Sequence, residues 1–72
     1  MNESQAKKIA ELDLNQKGFN NLKLQNIVHL NCGYWHLIYI CKDSKTSGNN
    51  IHMYLIDDQT CHIVNYTNSQ IR

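Results

Sequence analysis

Residues 51–66 read IHMYLIDDQTCHIVNY. Two apolar, β-branched and aromatic runs flank a polar centre, Asp57–Thr60. Aspartate favours turns because its carboxylate accepts from nearby backbone N–H groups. The stretch therefore predicts a tight hairpin, with strands over about 50–57 and 60–66 and the turn at Asp57–Thr60. A lone hairpin is marginal in water, so the rest of the chain must supply partners for it.

Upstream, Tyr34–Lys42 (YWHLIYICK) is the strongest strand signal, dense in aromatic and β-branched residues. Its apolar side chains fall on both faces, which suits a central strand. Asn31–Cys32–Gly33 marks the turn before it. Residues 22–30 alternate at Leu22 and Leu24 and then break at Asn26, the pattern of a strand carrying a bulge. The polar stretch 43–50 (DSKTSGNN) reads as a long loop, and the tail 67–72 as a frayed end.

The N-terminal segment has a different period. Ala6, Ile9 and Ala10 recur at helical spacing, with Leu12 and Leu14 widening the stripe. Asn2 or Ser4 can cap the start, Lys17 suits the C-terminal dipole, and Gly18 offers a left-handed exit with Phe19 folding back. A helix over 3–17 followed by strands gives an α+β class: one domain, 1–72, with one N-terminal helix packed on a three- to four-stranded antiparallel meander. The helix should meet a strand face formed by Trp35, Leu37, Tyr39, Met53, Leu55 and Ile63.

Bulk properties narrow the function. A 72-residue chain has room for one modest core. The net charge is +1 and the pI about 7.8, too neutral to grip a phosphate backbone. That argues against nucleic acid as a partner. The longest apolar run, Leu37–Cys41, is too short to cross a membrane. Three cysteines, an odd number, argue against a closed disulfide framework and for reduced thiols in the cytoplasm. The Asn-, Ile- and Lys-rich, proline-free composition suits an AT-rich bacterial or phage genome.

Chemistry-bearing residues are present but scattered. His29, His36, His52 and His62 with Cys32, Cys41 and Cys61 lack the close pairs (CxxC, HxH, HxxxH) by which zinc is chelated from one turn. No Gly-rich phosphate loop or nucleophile elbow occurs. The expectation is a non-enzymatic protein with no cofactor and no metal. A zinc- or thiol-dependent activity is the alternative from another class.

What remains is a surplus of aromatics on strands, in a chain with one helix to cover one sheet face. Tyr, Trp and Met serve as anchors in protein interfaces. Trp35, Tyr39 and Tyr54 are expected as structural or interface anchors. Lys45 and Asn49 in the 43–50 loop, with Asp57 and Asp58, are expected as rim contacts. The partner is a protein target, or a second copy forming a homodimer.

A family pattern accompanies these features. Ala6-x-x-Ile9-Ala10 leads to the Gly18–Phe19 exit, then a Trp-centred strand at Tyr34–Trp35 and a Gly48 loop. An apolar strand then runs into Asp57-x-x-Thr60-Cys61-His62-Ile63-Val64. This resembles the NTF2-fold immunity proteins, where such a helix precedes a W-x-V strand, a Gly-rich loop and a "dGkIl" turn. It is also similar to the PepSY module, whose last hairpin reads "vDa-x-TGevl". Cys61 stands where both patterns carry glycine. The resemblance implies a small immunity-type inhibitor that occludes the surface of a cognate toxin or enzyme. A phage-encoded inhibitor of a host defence complex, of anti-CRISPR type, shares the same physics.

Overall fold

The computed structural model describes residues 1–42 and 49–71. One helix, α1 (Glu3–Gln16), precedes four strands: β1 (Leu22–Leu30), β2 (Tyr34–Lys42), β3 (Asn49–Asp57) and β4 (Ile63–Ile71). The strands form one antiparallel sheet in the order β1-β2-β3-β4, an α+β meander with the helix on one face.

The helix is held at both ends by the chemistry its sequence offers. Asn2 and Gln5 form a reciprocal capping box: Gln5 N donates to Asn2 Oδ1 and Asn2 N to Gln5 Oε1, each at 2.9 Å. At the other end Gly18 adopts φ +92°, in the left-handed region that favours glycine. Gly18 N then donates to Asn15 O at 3.1 Å and Phe19 N to Leu14 O at 3.0 Å, the paired bonds of a Schellman exit. Phe19 is thereby returned to the core.

Ala6, Ala10 and Leu14, each one turn apart, are fully buried against the sheet. Two alanines let the helix lie close to the large side chains beneath. Leu12, expected in the buried stripe, is instead 59% exposed, because it lies off the Ala6–Ala10–Leu14 line.

The register decides which strand residues meet the helix. β2 presents Trp35, Leu37, Tyr39 and Cys41 inward. Opposed residues of an antiparallel pair share a face. The pairs Trp35↔Ile56, Leu37↔Tyr54 and Tyr39↔His52 therefore turn Ile56, Tyr54 and His52 inward. The expectation that Met53 and Leu55 meet the helix is corrected: they lie on the opposite face. Ile63, opposite Ile56, packs against the core as expected.

The bulge expected in β1 is present, where the register slips between Leu24 and Asn26. The last strand differs from its expected 60–66. Residues Thr60–His62 belong to the turn, and β4 runs on to Ile71, because a nine-residue β3 offers a full-length ladder to residues 63–71. The frayed tail is thus paired strand through Ile71.

Candidate functional site

The helix covers one sheet face. On the other, alternation places Tyr34, His36, Ile38 and Ile40 of β2 beside Ile51, Met53 and Leu55 of β3. These side chains are half-buried by one another, and among the described residues no element lies over them. Polar groups border them on β4, at Asn65, Thr67 and Ser69, while β1 adds Asn26 together with the apolar Val28 and Leu30. A shallow depression of about 300 Å³ opens beside His36, Met53, Leu55, Asn65 and Thr67. Monomeric proteins seldom leave a broad apolar surface in water unless it binds something.

The helix-side face holds a polar network instead. Tyr54 donates to Asp13 Oδ2 at 2.6 Å, and Lys17 Nζ reaches the same oxygen at 2.6 Å. Lys17 also lies 4.7 Å from the ring centre of Tyr66. The Tyr66 hydroxyl and His52 Nδ1 are hydrogen-bonded at 2.7 Å, and Phe19 stands edge-on to the His52 ring at 4.4 Å. Closer to the middle of the helix, Tyr39 donates to Glu11 Oε2 at 2.9 Å.

Burial sets the protonation of this network. It pushes the Tyr54 and Tyr39 hydroxyls up, helped by the carboxylates that accept from them. Burial would also raise Asp13, but the bonds from Lys17 and Tyr54 outweigh it and hold its carboxyl below the usual range. His52 is fully buried, and its Nε2 has no hydrogen-bond partner among the described residues. Burial, followed by the nearby Lys17 charge, pulls its pKa down, so the ring is neutral.

A second node closes the turn end of the sheet. Trp35 Nε1 donates to Asp58 Oδ1 at 2.9 Å, and the amino group of Met1 lies 3.4 Å from the same oxygen. His29 stacks on Trp35 at 4.5 Å and places Nε2 3.5 Å from Asp58 Oδ2. The Trp35 hydrogen bond leads the effects that hold Asp58 below the usual carboxylate range. Asp58 N donates to Gly33 O at 3.0 Å, joining the β1–β2 and β3–β4 turns. Asp57 Oδ1 accepts from Gln59 N at 2.8 Å and Thr60 N at 3.1 Å. Cys61 then adopts φ +60°, the left-handed conformation that glycine tolerates best.

The residues singled out in the sequence separate accordingly. Tyr39 and Tyr54 are 1% exposed and Trp35 9%, so the helix and the network claim all three as structural anchors. In this fold they offer a partner almost no surface. Asp58 is engaged by Trp35, while Asp57 caps the turn from the outward end of β3. Asn49 is exposed at the opposite end of β3. Lys45 lies outside the described residues. Of the outward set Ile38, Ile40, Ile51, Met53 and Leu55, the sequence places Met53 and Leu55 on the helix side and does not single out the other three, although two-sided apolar strands signal that some such set exists. Register alone tells which residues belong to it.

Cys41 is buried, and burial pushes its thiol up, whereas Cys32 and Cys61 are exposed on the turns. Among the described residues no three His, Cys, Asp or Glu side chains converge as a metal site. No helix among them is long and apolar enough to cross a membrane. No family model, curated protein or solved structure matches the chain.

Proposed function

We propose that this chain is a small, non-enzymatic, protein-binding inhibitor of the immunity type, which neutralises a cognate toxin or enzyme by covering part of its surface. The observation that carries this reading is the apolar sheet face of Ile38, Ile40, Ile51, Met53 and Leu55, over which no described element lies. The helix consumes the aromatic anchors on its own side, so the outward side is the one with apolar area left to bury. Sheets that present alternate apolar side chains within a polar border form specific interfaces, with an apolar centre that excludes water and a rim that fixes orientation. The resemblance of the Ala6–Phe19 and Asp57–Val64 motifs to NTF2-fold immunity proteins supports the same class.

The test is inhibition. The tagged chain is used to capture a partner from host lysate, and the partner's activity is measured against added chain. The reading expects activity to fall in proportion and end near one chain per partner. A partner fully active in excess chain, or no stoichiometric partner, would reject it.

A further inference from the structure

We infer that in the free protein the outward sheet face is covered by a second copy of the same chain, in an end-over-end homodimer that a target must displace. The inference rests on the reading above that this face is the binding surface.

Three observations identify the occupant. The first is charge. Among the described outward positions the formally charged residues are Lys23, opposite Ile40 on β1, and Lys42, opposite Asn49, toward one end of the sheet, and Asp57, opposite Tyr34 on β3, at the other. The face is therefore positive toward one end and negative at the other. Such a face is complementary to itself. A two-fold axis crossing the strands near Ile38 and Met53 turns one copy end over end. The Lys23 end of each copy then meets the Asp57 end of the other. Closed two-fold contacts require this reciprocity, in which one residue meets a second and the second meets the first. A face tuned to one charged target would show one sign of charge instead.

The second is area. Four strands at ~4.8 Å spacing and nine residues at ~3.3 Å rise give a face of roughly 570 Å². Two such faces bury about 1,100 Å² before side-chain relief is counted, which passes the ~1,000 Å² expected of a specific interface. The third is shape. Both central strands pair in register without a bulge, from Tyr34↔Asp57 to Lys42↔Asn49, so the centre of the face has the regular pleat that sheet-on-sheet packing uses.

The experiment is sedimentation equilibrium of the purified chain, with no target present, over about 1–200 μM. A species approaching twice the 8.4 kDa chain mass is expected. Ile38→Asp places a carboxylate at the proposed centre and should weaken association by about tenfold or more. Circular dichroism checks that the variant keeps its fold, and Met53→Lys replaces it if it does not. Lys23→Glu reverses a charge toward the end that meets the Asp57 end of the other copy and should weaken the dimer about threefold or more at low salt, with Asp57→Asn relieving the loss. Asparagine keeps the side-chain oxygen that caps the turn. A wild-type chain that stays monomeric throughout would overturn the inference. So would a dimer indifferent to the changes at Ile38, Met53 and Lys23. Target capture is scored separately on the same proteins. A dimer without any target removes the inhibitor reading and the displacement with it and leaves the self-association, and a monomer that captures a target leaves the inhibitor reading alone.

Discussion

Replacing Asp13 with alanine strands two groups at once. The Tyr54 hydroxyl, on a side chain 1% exposed, loses its acceptor beneath the helix, and Lys17 loses its i,i+4 partner. An orphaned buried hydroxyl costs about 1–3 kcal/mol. The surface ion pair adds only ~0.3–0.5 kcal/mol. Alanine's better helix propensity returns roughly half a kcal/mol. The expected net loss is about 2 kcal/mol. Tyr54→Phe removes the donor rather than the acceptor, and Asp13 keeps Lys17 and contact with water, so about 1 kcal/mol is expected. In the Tyr54→Phe background no hydroxyl remains to be stranded, and Asp13→Ala should then cost close to nothing. The double-mutant cycle should therefore show a coupling of about 1–2 kcal/mol. For a chain this short each kcal/mol is read as about 4–8 °C in thermal melts, and urea titrations give the free energies directly. Two single changes that add to within ~0.5 kcal/mol would refute the claim that Tyr54 depends on Asp13.

Three further outcomes are expected. His52 has a folded pKa below the ordinary 6.5, so below that value the unfolded chain takes up a proton that the folded chain refuses. Its stabilising contribution is complete above 6.5 and is lost as pH falls, with a slope of at most about 1.4 kcal/mol per pH unit. Urea titrations of His52→Gln at several pH values should show that slope flattened, and an unchanged slope would contradict a buried neutral ring. Cys61→Gly should stabilise the fold by about 1 kcal/mol in the same titrations, since φ +60° strains a residue with a side chain; a loss of stability would mean that the side chain compensates for the strain. Under native conditions a thiol reagent should label Cys32 and Cys61 promptly and Cys41 only on unfolding, as read by mass spectrometry.

Local chemistry made much of the architecture legible. The helix follows from Asn2, the Ala6–Ala10–Leu14 spacing and Gly18, because caps and period are properties of neighbouring residues. The same holds for the strands and for the β1 bulge near Asn26. The length of β4 was hidden, since the polar run Thr67–Gln70 pairs only because β3 lies beside it. The sidedness of β3 was hidden for a related reason. In IHMYLI either alternate set is a plausible core, and the choice falls to the β2 register through Leu37↔Tyr54. That one choice moved Met53 and Leu55 to the open face and buried Tyr54 and His52 under the helix. The site could be foreseen as a surplus of apolar strand surface, while its membership depended on long-range pairing. Cys61 shows the converse. Its place in a glycine-bearing turn pattern was visible in the sequence, and the positive φ supplies the physical reason for that pattern.

The central claim is that the outward sheet face, and not the helix, is the surface that binds. On the helix the exposed apolar site is Leu12, while on the sheet Met53 and Leu55 are half-buried at the centre of the outward face and Val28 and Val64 are exposed on β1 and β4. The direct measurement is a quantitative capture from host lysate with wild-type, Leu55→Asp and Leu12→Asp chains, each first shown to be folded. Loss of the partner with Leu55→Asp and retention with Leu12→Asp is the predicted result. Retention with Leu55→Asp and loss with Leu12→Asp would contradict it and move the interface to the helix.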